Sequence, residues 1–198
     1  MFQFSLLLVL VAGFAMAQVR PVETLPIRRT VSGNTVRSSQ DPEVKLTIEP
    51  AFRYVGADRF TLYDVADAEV HVFVEADAKK NVKRFYWVQF EEYLPNNQHK
   101  YDYADNPVIE AAGWKWHVAA RLRPADEEVR PTSDTEHMLG VLKANGYKLQ
   151  GMYAAIRLVH LTDASMRKEL MIIYMERANT LDETAVRQHA LRGMTVEH

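Results

Sequence analysis

Alternating hydrophobic and polar residues predict β-strands through most of the chain. Side chains of successive strand residues point to opposite faces, so a period of two indicates a strand that buries one face. Short polar loops at Asp77–Asn81 and Asp163–Arg167 each join two such segments, which indicates antiparallel hairpins. The predicted strands are Val44–Ile48, Phe60–Leu62, Glu69–Glu75, Lys83–Leu94, Gly113–Arg123, Met152–Val159 and Leu170–Glu176, the last of which is apolar on both faces.

Two further segments carry signals for the ends of helices. Ser133 and Glu136 have the spacing of a capping box, and Asn145-Gly146 follows where a left-handed C-cap is needed. These signals predict a helix from about Asp134 to Asn145. Thr180 to Glu183 reads as a second capping box with Gly193 at the far end, which predicts a helix from about Leu181 to Arg192.

The order of strands, helix, hairpin and helix favours an α+β fold. Strands joined by short loops pair antiparallel, and helices next to them pack on the sheet. We therefore expect a single α+β domain over residues 44–198, with one antiparallel, curved sheet of about six strands and the two helices packed on it.

The N-terminal region lacks these patterns. Residues Ser5–Ala17 are almost wholly apolar and end in Ala-Met-Ala. This run is too short for a membrane span and is typical of a secretory signal peptide. We expect residues 1–17 to be cleaved and the protein to be exported to the periplasm or the extracellular medium. Residues 18–43 are rich in Pro, Arg, Ser and Thr and are expected to form an extended or mobile arm.

Composition and charge exclude several classes of function. The chain has 24 basic and 26 acidic side chains, a net charge of −2, which does not favour nucleic-acid binding. It has no cysteine, so disulfides and Cys-ligated metals are excluded. No stretch beyond the signal peptide predicts a stable membrane span. Phosphate-loop, dinucleotide-fold, α/β-hydrolase and HExxH motifs are missing, and no cofactor or metal site is predicted.

The candidate site comes from aromatic residues on both faces of the strand Lys83–Leu94. One solvated sheet face does not require rings on both sides. If helices cover the face of Val88 and Phe90, the opposite face is exposed beside a ring from a neighbouring strand and marks a ligand or partner surface. The predicted ligand-binding residues are Phe85, Trp87, Gln89, Glu91, Tyr93, Trp114 and His71.

Three hypotheses of function follow, and core packing of the rings is the structural alternative to all of them. The leading hypothesis is an exported non-catalytic binding module for a small apolar or amphipathic ligand. The second is an exported hydrolase-like enzyme with a site assembled from His71, Glu91 and His117, although no catalytic residue is identified by a motif. The third is a structural or interaction protein that uses an aromatic surface, for which a homodimer is one form.

Overall fold

The computed structural model of the protein describes residues 25–198. The predicted signal peptide, residues 1–17, lies outside the described residues. The elements within them are β1 (Thr30–Ser32), β2 (Thr35–Ser39), β3 (Glu43–Ile48), β4 (Arg53–Leu62), β5 (Ala66–Ala76), β6 (Val82–Tyr93), β7 (Val108–Ala111), β8 (Trp114–Pro124), α1 (Asp134–Ala144), β9 (Met152–Leu161), β10 (Lys168–Arg177), α2 (Glu183–Arg192) and β11 (Met194–Glu197).

The strands form two open antiparallel sheets. The larger sheet has seven strands in the order β4-β5-β6-β10-β9-β8-β7, and the smaller has four in the order β1-β2-β3-β11. The prediction of an antiparallel α+β fold with two helices is confirmed. The prediction of one sheet of about six strands is corrected, because β1, β2, β7 and β11 are only 3 to 5 residues long and are too short to show a clear alternation.

Both faces of the seven-stranded sheet are covered. One face packs against the four-stranded sheet and α2, and its core includes Tyr86, Val88 and Phe90 of β6. The other face packs against α1, and its core includes Phe85 and Trp87 of the same strand. The two helices therefore lie on opposite faces. Burial on both sides explains why rings occur at odd and even positions of β6.

The ends of the helices agree with the capping signals in part. Ser133 caps α1 and its Oγ accepts a hydrogen bond from the Glu136 amide at 3.2 Å. The N-cap of α2 is Asp182, which accepts from the Ala185 amide at 2.9 Å, so the predicted box beginning at Thr180 is wrong by two residues. Asp is as good an N-cap as Thr and leads directly into the helical stretch.

The predicted arm lies outside the described residues up to position 24, and its described part, residues 25–43, contains regular structure. Within residues 25–43, β1 and β2 form a hairpin whose turn contains Gly33 at a φ of +57°. β2 also pairs with β3, which ties the hairpin to the domain. Just before β1, the backbone amides of Arg28 and Arg29 donate to the carboxylate of Glu69 at 2.7 and 3.0 Å.

No helix within residues 25–198 combines the length and the apolar character needed to cross a bilayer.

Candidate functional site

A cavity of about 310 Å³ lies on the face of the seven-stranded sheet that carries α1. Its lining follows one cross-strand row, in which Trp87 of β6 faces Ile173 of β10, Ile173 faces Arg157 of β9, and Arg157 faces Ala119 of β8. Directly opposite residues in antiparallel strands project from the same face of the sheet. The row therefore places an aromatic ring and an aliphatic chain beside a guanidinium group.

Charged side chains complete the lining. Arg121, Arg123 and Arg157 come from the sheet, and Asp134 comes from the first turn of α1. Arg121 donates to the Glu127 carboxylate at 3.0 Å, and Arg123 also forms an ion pair with Glu127. Burial raises the pKa of Asp134. The cavity lining thus carries more positive than negative groups.

Arg157 differs from the other two arginines because its charge is not matched by a carboxylate. Its Nε atom is buried and has no hydrogen-bond partner, and no carboxylate of residues 25–198 lies within 4.0 Å of its guanidinium group. The guanidinium carbon lies 5.4 Å from the centre of the Tyr103 ring, a distance at which the ring attracts a cation.

A chain of hydrogen bonds leads from Trp87 along β6. The indole Nε1 donates to Gln89 Oε1 at 2.9 Å, and Gln89 Nε2 donates to Glu91 Oε2 at 2.5 Å. The Tyr101 hydroxyl donates to the other carboxylate oxygen of Glu91 at 2.8 Å. Each polar group of this buried chain is therefore paired, which holds the Trp87 ring in one orientation.

Two carboxyl groups face each other at the end of this chain. Glu91 of β6 lies directly opposite Glu169 of β10, and the Tyr103 hydroxyl donates to Glu169 at 2.7 Å. Burial raises the pKa of Glu91, and burial together with the negative charge of Glu91 raises the pKa of Glu169 to about 8. Two buried carboxylates this close do not both ionise readily, so we expect the pair to hold a proton at neutral pH.

The predicted ligand-binding residues do not form one group. Phe85, Trp87, Gln89, Glu91 and Tyr93 share the α1 face of β6. His71 pairs with Val88, and Trp114 packs against the core of the opposite face. Five of the seven residues are therefore on one side of the sheet, and His71 and Trp114 are on the other.

Of the five, only Trp87 lines the cavity within the described residues. Phe85 is fully buried in the core beneath α1. The ring of Tyr93 stacks on that of Tyr101 with centroids 4.4 Å apart. Gln89 and Glu91 act on the cavity only through the hydrogen-bond chain to Trp87.

The two residues on the opposite face have other surroundings. His71 is fully buried, and its ring nitrogens lie 2.9 Å from Glu69 Oε1 and 3.3 Å from the Tyr54 hydroxyl. Trp114 stacks on the His160 ring with centroids 4.3 Å apart. Both residues are therefore fixed by protein groups far from the Arg157 row.

The hydrolase-like combination of His71, Glu91 and His117 is not assembled. His117 is in register with Val159 and lies on the same face as Glu91, whereas His71 lies on the other face. The sheet therefore separates His71 from Glu91 and His117, so the three side chains do not form one site. Residues 25–198 also contain no group of three His, Cys, Asp or Glu side chains placed to hold a metal ion.

Sequence reasoning missed the polar residues around Trp87. Arg157 lies in the otherwise uncharged stretch Met152–Val159, and Glu169 directly precedes the apolar run Leu170–Met175. A charge inside an apolar strand is the one signal that could have marked them, because burial of an unpaired charge is costly. The positions of Tyr101 and Tyr103 depend on a loop that has no comparable signal.

Comparison of the chain with known proteins finds no matching family model, no matching curated protein and no matching solved structure. Any function assigned to the cavity therefore depends on its own geometry.

Proposed function

We propose that the protein is an exported, non-catalytic binding module, and that the cavity beside Trp87 binds a small apolar or amphipathic ligand. The observation that carries this proposal is the cavity of about 310 Å³, which is at the lower end of the range for small-molecule sites. Trp87, Met171 and Ile173 supply apolar surface, and a few charged groups lie beside them. This combination suits a ligand with an apolar body.

The arrangement of acidic groups favours binding over catalysis. Asp134 is the only carboxylic acid among the described residues that line the cavity. The carboxyl groups of Glu91 and Glu169 each accept a tyrosine hydroxyl instead. A general acid or base must reach the reacting group of its substrate, and neither glutamate is placed to do so from the cavity wall.

The surface gives less support to the interaction-protein hypothesis. Tyr63 is the only exposed aromatic residue among the large hydrophobic side chains of residues 25–198. The other exposed ones, Ile27, Val108, Met166 and Leu181, are aliphatic and come from separate segments. Single exposed apolar residues are ordinary on a protein surface. The described residues therefore present no group of exposed aromatic side chains that a partner or a second copy could bind.

Export is the second part of the proposal, and the apolar run Ser5–Ala17 supports it. N-terminal sequencing of protein recovered from its own host is the test. We expect the mature chain to begin at Gln18. Recovery of the protein with Met1 in the cytoplasm would contradict export and leave the binding proposal to its own test.

Binding is tested best by filling the cavity rather than by removing its wall. Trp87 is 1 % exposed, so Trp87→Ala is expected to destabilise the protein by about 3–5 kcal/mol and does not separate binding from folding. Ala119 lines the cavity and is partly exposed. Ala119→Leu adds three carbon atoms inside the cavity, and Ala144→Leu, at the exposed end of α1, is the matched control.

The probe is N-phenyl-1-naphthylamine, a neutral dye whose fluorescence rises in apolar surroundings. We expect saturable binding to the wild type and to Ala144→Leu, with affinity reduced by about tenfold or more in Ala119→Leu because the side chain competes for the space, a loss of about 1.4 kcal/mol. Absence of saturable binding to the wild type, or equal affinity in both variants, would contradict the proposal.

A further inference from the structure

We infer that the ligand of this cavity is an amphiphile that carries a single carboxylate, and that Arg157 binds the carboxylate. The inference rests on the proposed function, because it assigns the charge and orientation of the ligand in the same cavity. It depends on four features: the unmatched charge of Arg157, the balance of charge in the lining, the direction of α1, and the position of the apolar surface relative to Arg157.

The first feature is the guanidinium group itself. Arg157 lines the cavity with a buried Nε that has no hydrogen-bond partner. An arginine remains charged in proteins and offers five N–H donors in one plane. Leaving the buried Nε–H unpaired is unfavourable, and a carboxylate entering the cavity would pair with two of the guanidinium donors at once.

The second feature is that nearby carboxyl groups do not neutralise Arg157. Burial raises the pKa values of Glu169 and Asp134, and the positive charge of Arg157 opposes this rise, which places all three in one electrostatic neighbourhood. Neither acid forms an ion pair with it within 4.0 Å among residues 25–198, whereas Arg121 and Arg123 share Glu127. Arg157 is therefore the one arginine of the lining, among the described residues, that has no carboxylate partner.

The third feature is the orientation of α1. Asp134 and Thr135, the first two residues of this 11-residue helix, line the cavity. The N-terminal end of a helix carries a partial positive charge that favours anions. This end of α1 lines the same cavity as Arg157, so its partial charge adds to that of the guanidinium group.

The fourth feature fixes the orientation of the ligand. Arg157 is directly opposite Ile173, and Ile173 is directly opposite Trp87. A carboxylate on Arg157 therefore places the rest of the ligand over Ile173 and Trp87, with Met171 beside them in the lining. The ligand class is consequently an organic acid with an aliphatic or aromatic body, rather than an inorganic anion.

The experiment compares three probes with one body and three head groups. Octanoate, octanol and octylamine are each used to displace N-phenyl-1-naphthylamine from the full protein at pH 7. We expect octanoate to displace the dye at a concentration lower by about tenfold or more than octanol, because a hydrogen-bonded charge pair stabilises more than a neutral contact. Octylamine should be the weakest competitor.

Variants assign the preference to the guanidinium group. Arg157→Gln should weaken the binding of octanoate by about 10- to 100-fold and leave the affinities for octanol and the dye nearly unchanged. Arg157→Lys should restore part of the preference for octanoate over octanol. Arg177→Gln removes the same charge from an exposed position at the end of β10 and should change nothing. Thermal unfolding of each variant shows that the comparison concerns folded protein.

The outcomes separate this inference from the proposed function. Dye binding with equal displacement by octanoate and octanol, or stronger displacement by octylamine, would overturn the anionic ligand and retain the cavity as a binding site. Octanoate preference that persists in Arg157→Gln would overturn the role of Arg157. Failure of the wild type to bind the dye or any octyl probe would overturn the proposed function itself.

Discussion

Glu69 provides a test of how the N-terminal segment is attached to the domain. Its carboxylate is 1 % exposed and accepts hydrogen bonds from the amides of Arg28 and Arg29 at 2.7 and 3.0 Å, and it lies 2.9 Å from His71 Nε2. Glu69→Gln removes the negative charge but keeps the size of the side chain. We expect this variant to be less stable than the wild type at neutral pH and to lose part of the pH dependence of stability.

The magnitude follows from the pKa of Glu69. Burial alone raises this pKa, but the hydrogen bonds from His71 and from the Arg28 and Arg29 amides outweigh burial and lower it from 4.5 to about 2. A tenfold change in an acid dissociation constant corresponds to about 1.4 kcal/mol, so the ionised carboxylate contributes about 3 kcal/mol. Because the pKa is lower in the folded state, this stability is present above pH 4.5 and is lost as the pH falls towards 2.

The assay is urea unfolding followed by tryptophan fluorescence at several pH values. We expect Glu69→Gln to reduce the free energy of unfolding by about 3 kcal/mol at pH 7, and the difference from the wild type to shrink towards zero near pH 2. Glu110→Gln, at an exposed position of β7, is the control and should differ little at any pH. A difference between Glu69→Gln and the wild type that does not change between pH 2 and 5 would refute this account of the carboxylate.

Three further substitutions test the packing of the fold by urea unfolding. Ser133→Ala removes the N-cap of α1 and should cost about 1 kcal/mol; no measurable loss would contradict the capping role. Val72 is fully buried and Val108 is 53 % exposed, so Val72→Asp should prevent stable folding while Val108→Asp is tolerated, and similar effects would show that β5 is misplaced. A Cβ on Gly193 would overlap the Tyr86 hydroxyl, so Gly193→Ala should cost about 1–3 kcal/mol, and adding Tyr86→Phe should recover part of the loss.

Most of the longer elements of the fold are predictable from the sequence because each carries its own local signal, whereas the sequence predicts only Phe60–Leu62 of the 10-residue strand β4. The alternation in β3, β5, β6, β8 and β9, the apolar run of β10 and the caps of α1 place these elements close to their observed positions. The short strands β1, β2, β7 and β11 are not predictable in this way. β11, for example, has only 4 residues and is defined by its pairing with β3 from the other end of the described chain.

The candidate site is less predictable because it depends on the order of strands. Trp87 is identifiable from its place in an aromatic strand. Its neighbours Ile173 and Arg157 come from β10 and β9, which follow β6 in the sheet although β7, β8 and α1 intervene in sequence. Alternation predicts which residues share a face of one strand. Pairing between distant strands decides which residues become neighbours, and no local sequence pattern predicts that pairing.

The layers of the fold change the interpretation of the aromatic residues of β6 from a ligand surface to core packing. From the sequence, rings on both faces of one strand predict a ligand surface, because a sheet with one solvated face needs rings on one side only. In the structure, Tyr86 and Phe90 pack towards the four-stranded sheet and α2, and Phe85 packs towards α1. A sheet that is the middle layer of three needs apolar residues on both faces, so most of the rings are explained by the two cores.

What packing does not explain is Arg157. A residue that served only to pack between Ile173 and Ala119 would need no charge, and the half-buried Arg157 instead leaves its buried Nε atom without a hydrogen-bond partner, which is unfavourable. The same row of the sheet holds Trp87, whose orientation is maintained by a paired chain of polar groups through Gln89 to Glu91. An ordered ring and an unmatched cation on opposite sides of one aliphatic residue are what a binding site for an apolar carboxylate requires, and the head-group comparison tests that requirement directly.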